Sequence, residues 1–247
     1  GGSGWLILKC PSTQSVERTV NMSPVVTVTI MTRPGQLINA LHLFSPSLPI
    51  GAFAFSQGLE ATIESGHVSD PESLARWCYS VMRFSLATLD CHYAIRAHRA
   101  RSKSIFRDLN AELLASRETR ELLQEDLLLG AAFKKWATDR GINMPDADEY
   151  SLVCLYGWVA ARYEIPQDWL VAGILWSWLD NQMLVAAKAI PLGQNALQAV
   201  LADLKPVIVE CVEQSILSLE MDSSSTVPLL SIMSARHEAQ YSRLFRS

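Results

Sequence analysis

Apolar side chains recur at intervals of three and four residues along almost the whole chain from Gln36 onward. The clearest series has a start signal, because Asp70 is a candidate N-cap, Pro71 suits the first helical position and Glu72 complements the helix dipole. The series then runs through Leu74, Trp77, Val81, Phe84, Thr88, Cys91 and Ile95. This spacing predicts one helix of roughly 25–30 residues.

The same periodicity, interrupted by proline and glycine, predicts helices through most of the remaining chain. Leu37, Leu41 and Phe44 mark a short first helix, and the further helices are expected over 109–114, 118–138, 149–163, 167–190 and 194–219, the last with a kink at Pro206. No internal strand is convincing. The sequence therefore predicts an all-α fold, a single globular domain of about eight to ten helices over residues 35–233. Residues 1–34 are predicted to be a tag-like, linker-like or disordered extension, and residues 234–247 a docking tail.

Composition narrows the class of protein. Hydrophobic residues make up 49% of the 247, which excludes bulk disorder, and the net charge of −4 gives no basic footprint for nucleic acid. The longest apolar run, 169–179, is about 11 residues, whereas crossing a bilayer takes roughly 20. We therefore expect neither a nucleic-acid nor a membrane partner, and we assign this run to the core or to a subunit interface.

Cysteine usage and the N-terminus bear on location. The five cysteines show no spacing typical of a zinc ribbon or a CxxC pair, at Cys10, Cys78, Cys91, Cys154 and Cys211. The stretch Trp5 to Leu8 is too short for the hydrophobic region of a signal peptide. We expect reduced thiols in a cytoplasmic protein.

Sequence signatures of common chemistry are absent. There is no GxxxxGK[ST] or GxGxxG phosphate-binding pattern and no GxSxG nucleophile turn. Cys91, His92 and His98 are the nearest approach to a metal set, but adjacent helical residues point about 100° apart. Cys91 also belongs to an apolar stripe, so a core position is the favoured interpretation. None of these patterns therefore supports a resident metal site or a catalytic site in the sequence.

Two segments contain more than helix periodicity. In the first, Ala52, Phe55, Leu59 and Ile63 are spaced as one helical stripe, with Gly58 inside it. A glycine inside a helix costs about 1 kcal/mol relative to alanine, which favours a close approach of another backbone or tight packing within the monomer. In the second, 236–247, arginines alternate with Tyr, Leu and Phe, the residue types that anchor interfaces.

Three motifs together resemble one family. The segments SPSLPIGAFAFSQGLE (45–60), KAIPLGQ (188–194) and RHEAQYSRLFRS (236–247) look like those of UreF, the urease accessory protein, and they occur in the family's order. The resemblance covers the chain from about residue 36 to the C-terminus. It implies an all-α homodimer that is not itself an enzyme.

The resemblance also implies partners. UreF-like proteins assemble with UreD, also called UreH, and recruit the GTPase UreG, and the complex supports GTP-dependent delivery of nickel to apo-urease. Nickel and GTP would then be handled by the partners, and the chain would need no cofactor of its own. Both activation of the GTPase and gating of the transfer fit this resemblance.

By position, the resemblance assigns two sets of partner-binding residues. The set expected to dock on UreD lies in the tail and comprises Arg236, His237, Glu238, Tyr241, Arg243, Leu244, Phe245 and Arg246. The set expected to communicate with UreG or urease comprises Glu60, Lys188 and Gln194, with an adjoining surface formed by Pro49, Gly51, Ser56, Gln57 and Gly58.

Other functions remain as alternatives at this point. The main one is a metallochaperone that binds nickel directly through Cys91, His92, His98 or His237. A stand-alone helical hydrolase would require a catalytic constellation that the sequence does not offer. A membrane-surface protein would fit the apolar content, but it would require a helix rich in Lys and Arg on one face.

Overall fold

The computed structural model describes residues 33–222, and within that range the chain is all-α with no strand. The helices are α1 Arg33–Leu43, α2 Leu59–Glu64, α3 Pro71–Val81, α4 Cys91–Arg99, α5 Lys103–Ala115, α6 Arg120–Thr138, α7 Leu152–Arg162, α8 Gln167–Ala189 and α9 Gln194–Asp222. A 3₁₀ turn spans Ala52–Ala54, and a π-helical segment, Met82–Asp90, joins α3 directly to α4. The all-α prediction is confirmed.

The long helix predicted after Asp70 is present. It runs without a break through α3, the π-helical segment and α4. Asp70 caps it, since its Oδ1 accepts from the Ser73 amide at 2.8 Å while Ser73 Oγ accepts from the Asp70 amide. The bonds that the Asp70 carboxylate accepts from the Ser73 amide and from the Ser73 hydroxyl lower the pKa of Asp70. The π-helical segment was not predicted, and Ser215 Oγ of α9 donates to the Ala87 carbonyl within it at 3.0 Å.

Helices α8 and α9 supply much of the buried core. Helix α8 is long and apolar enough to cross a membrane by length and composition, although the sequence predicted too short an apolar run. In its most apolar window, 56% of the residues are buried inside the described chain, as in a core helix of a globular domain. Helix α9 continues across Pro206.

The predicted short first helix is present as α1, but the apolar residues that mark it do not all face the core. Phe44, just after it, is buried against Tyr156, with ring centroids 5.2 Å apart. Leu37, Ile38 and Leu41 are instead exposed, at 45%, 63% and 60%. Their spacing places all three on one side of the helix, so α1 presents an apolar stripe outward.

Helices α4 and α7 approach each other closely at Gly157. A Cβ at this position would lie 2.2 Å from the Ala94 carbonyl oxygen, which belongs to rigid helical backbone. We therefore expect Gly157→Ala to lower the free energy of unfolding by about 1–3 kcal/mol or more, despite alanine's better helix propensity. Urea denaturation measures this change.

Gly193 provides the matched control for that substitution. A Cβ there meets no atom within 4 Å, so Gly193→Ala should cost less than about 1 kcal/mol, through weaker capping of α9 alone. Equal losses in the two variants would contradict the close packing of α4 on α7.

Candidate partner-binding surface

The segment 45–58 folds as a series of tight turns between α1 and α2. The Leu48 amide donates to the Ser45 carbonyl at 3.0 Å and the Ile50 amide to the Leu48 carbonyl at 2.8 Å. Leu48 and Ile50 are buried, whereas Pro49 between them is exposed. The alternation anchors the segment in the core and turns Pro49 outward.

The predicted continuous helix over 52–63 is wrong. Its residues divide between the 3₁₀ turn and α2, because the backbone takes a left-handed conformation at Gln57 (φ 51°) and Gly58 (φ 87°). Gly51 is also left-handed, at φ 78°. Such φ values end a right-handed helix and favour glycine.

The reason predicted for Gly58 is wrong as well. It precedes α2 as the N-cap residue, and a Cβ there would meet the Trp77 ring at 3.6 Å, an ordinary contact. Glycine is required for its backbone conformation and not for the approach of another backbone.

Two side chains outside the motif hold this loop in place. Asn181 of α8 donates through Nδ2 to the Phe55 carbonyl at 2.9 Å. Gln57 donates through Nε2 to Glu125 Oε1 of α6 at 2.6 Å. The loop 55–58 is therefore fixed to two different helices, and Asn181 and Glu125 are functional candidates that the sequence analysis did not identify.

The remaining residues of this set lie on three different helices. Glu60 is exposed in the first turn of α2, Lys188 is exposed in the last turn of α8, and Gln194 is exposed at the start of α9. Lys188 follows Asn181 by two helical turns, so both lie on the side of α8 that meets the loop, about 10 Å apart along its axis. Among the described residues, none of these three exposed side chains has a hydrogen-bond or ion-pair partner.

Phe53 adds an apolar element to the same surface. It is 55% exposed in the 3₁₀ turn, between the buried Ile50 and the anchored Phe55. Ser56 and Gly51 are half-buried nearby in the chain. The surface thus combines an exposed aromatic ring with an unpaired carboxylate and an unpaired lysine, which suits binding to a protein partner.

A buried ionic cluster lies next to Glu125. Arg117 contacts Asp90 at 2.8 Å and Asp126 at 2.6 Å, and all three side chains are nearly inaccessible. Asp126 also accepts from the Leu152 amide at 2.8 Å and from Ser151 Oγ at 3.2 Å. Burial raises the pKa of Asp126, although Arg117 acts in the opposite direction. Burial alone would lower the pKa of Arg117, but the two aspartates outweigh burial, so this pKa is raised. The cluster joins the π-helical segment, α6 and α7.

The metal-ligand candidates are dispersed. Cys91 is fully buried, and burial raises the pKa of its thiol. His98 lies with Nε2 2.8 Å from the Ile165 carbonyl, and burial lowers its pKa. Residues 33–222 contain no group of three or more His, Cys, Asp or Glu side chains able to hold a metal ion. His237 falls outside the described residues.

The UreD-docking set also falls outside the described residues. It comprises Arg236, His237, Glu238, Tyr241, Arg243, Leu244, Phe245 and Arg246, and its role stays a prediction.

Comparison with known proteins places the chain in a family. The profile of the family described as UreF matches residues 68–205. The chain is 39% identical over 222 residues to "Urease accessory protein UreF" of Hahella chejuensis, covering 87% of this chain and 99% of that protein. It is 37% identical to the protein of the same name from Marinobacter nauticus, over 87% of this chain and 97% of the relative. A third such protein, from Teredinibacter turnerae, is 35% identical over 86% of this chain and 99% of its own length. The chain belongs to the UreF family of urease accessory proteins.

Proposed function

We propose that this chain is a non-catalytic scaffold in urease maturation. It assembles with UreD (UreH), recruits and regulates the GTPase UreG, and so supports GTP-dependent insertion of nickel into apo-urease. The observation that carries the proposal is the anchored loop 45–58 with its exposed neighbours Glu60 and Lys188. A surface that is rigid, exposed and free of internal ion pairs is suited to recognition, because little ordering entropy is lost on binding.

Further observations support the details of this proposal. The sequence contains no phosphate-binding loop, which fits a GTPase supplied by a partner. The apolar stripe of Leu37, Ile38 and Leu41 favours a protein interface, and a second copy of the chain is our proposed occupant. The four cysteines within the described residues are free and buried, as suits a cytoplasmic location.

The assembly is tested by expressing the chain with UreD and UreG and measuring the masses of the complexes by native mass spectrometry. We expect a species that contains all three proteins, with this chain in two copies. Deletion of 241–247 should abolish capture of UreD, because it removes Tyr241, Leu244 and Phe245, the apolar anchors of the tail.

Arg76→Ala is the control for that truncation, since Arg76 is exposed on α3 and belongs to neither proposed site. It should leave every complex unchanged. Capture of UreD by the truncated chain at the full level would reject the assignment of the tail, and failure of the intact chain to join any complex would reject the scaffold itself.

A further inference from the structure

Glu125 is a buried carboxyl on the core side of the motif loop, which is the segment 45–58. It lies in α6, is 8% exposed and accepts from Gln57 Nε2 at 2.6 Å. Gln57 has a left-handed backbone at φ 51°, a conformation that non-glycine residues hold only where their surroundings enforce it. The hydrogen bond to Glu125 is the side-chain contact that enforces it here.

The two anchors of the loop differ in chemistry. Asn181 donates to the Phe55 carbonyl and carries no proton that titrates. Glu125 is ionisable, so the strength of its anchor depends on its protonation state. A change of pH can therefore alter the anchor at Glu125 but not the anchor at Asn181.

The surroundings of Glu125 raise its pKa to about 7 from 4.5. Burial is the largest cause, the hydrogen bond from Gln57 opposes it, Asp126 adds to it and Arg117 opposes it. The charged residues of α2, which follows the loop directly along the chain, are Glu60 and Glu64, and both are exposed.

The sign of the pH effect follows from this shift. The closed loop, with the carboxyl buried, binds a proton more readily than an open loop with the carboxyl in water. Falling pH therefore favours the closed loop, and that advantage is lost as the pH rises through about 7.

We propose that Glu125 is the positioning residue of the motif loop, holding Gln57 and thereby setting, in a pH-dependent way, the surface that this chain presents to UreG. The inference rests on the proposed function, because the identity of the bound partner comes from it. The anchoring itself concerns only this chain and is measured without a partner.

Hydrogen exchange of the loop amides tests the anchoring. The reporters are the Phe55, Leu59 and Thr62 amides, which donate to the carbonyls of Ala52, Ser56 and Gly58. After correction for intrinsic exchange, we expect their protection in the wild-type chain to fall by about tenfold from pH 6 to pH 8. Glu125→Gln keeps the acceptor but cannot ionise, so its protection should not change with pH.

Two further variants test the hydrogen-bond acceptor of Glu125 and control for the change of charge. Glu125→Ala removes the acceptor and should lower loop protection at both pH values and reduce capture of UreG, whereas Glu125→Gln should retain capture. Glu121→Gln makes the same change at an exposed site of α6 and should behave as the wild-type chain does in both measurements. A merely structural role for Glu125 would not produce a pH dependence that glutamine removes.

The outcomes separate this inference from the proposed function. Loop protection that is independent of pH in the wild-type chain, or equally dependent in Glu125→Gln, would overturn the inference. Normal capture of UreG by Glu125→Ala would overturn it too. Failure of the wild-type chain to capture UreG at any pH would instead overturn the proposed function, and the exchange data would still decide the role of Glu125.

Discussion

Replacing Arg117 with alanine should lower the free energy of unfolding by about 3–5 kcal/mol, the cost of breaking a buried ion pair by removing one partner. The guanidinium lies between Asp90 and Asp126, so its loss leaves two carboxylates buried near each other without a cation. Urea denaturation at pH 7 measures the change in stability. The deficit should shrink in acid, because burial raises the pKa of Asp126 and protonation of that carboxyl removes one of the two buried charges.

Arg76→Ala is the matched control for that measurement. Arg76 pairs with Glu72 one turn away on α3, and both side chains are largely exposed. Exposed pairs of this kind contribute about 0.5 kcal/mol, so the variant should be nearly as stable as the wild-type chain. A loss below about 1 kcal/mol in Arg117→Ala would show that water reaches the two aspartates. It would contradict the claim that Arg117 stabilises the fold through buried ion pairs.

The helices that the sequence predicted well have local signals at their ends. The cap at Asp70 and the proline after it locate the start of α3, and the structure reproduces both. Helix α5 begins at Lys103, earlier than the predicted 109. Ser102 caps it, with Oγ accepting from the Ile105 amide at 3.2 Å.

Long-range bonds explain the errors at other ends. Periodicity predicted that α7 begins at 149, but it begins at Leu152. The Tyr150 hydroxyl donates to the Pro145 carbonyl at 3.1 Å, and the Ser151 amide donates to Asn110 Oδ1 at 2.8 Å. Asn110 Nδ2 also donates to the Glu149 carbonyl at 2.9 Å, so a backbone acceptor that a helix starting at 149 would use is bonded to α5. Residues 39 and 41 positions apart along the chain give no local signal of the two bonds to Asn110.

The resemblance proposed residues of the candidate surface, but the sequence did not indicate their conformation. The motif resemblance selected Gln57 and Glu60, whereas the left-handed backbone at Gln57 and its partner Glu125 depend on a contact across 68 positions. One signal was available in α6. Glu125 and Asp126 share a helix face with Leu129 and Phe133, and carboxyl groups on a core-facing side require buried partners.

The largest functional effect is expected in a urease-expressing strain that lacks the gene for this chain. Such cells should still make the urease subunits, but without the scaffold UreG would not be positioned to deliver nickel. Restoring the full-length gene should restore nickel and activity, whereas restoring it without 241–247 should not, if the tail captures UreD as proposed.

The nickel content of urease purified from that strain tests the central claim most directly. We expect close to no nickel per active site without the gene, and the normal content when the full-length gene is returned. Urease from the deletion strain that carries its full complement of nickel and has full activity would contradict the proposed role of this chain.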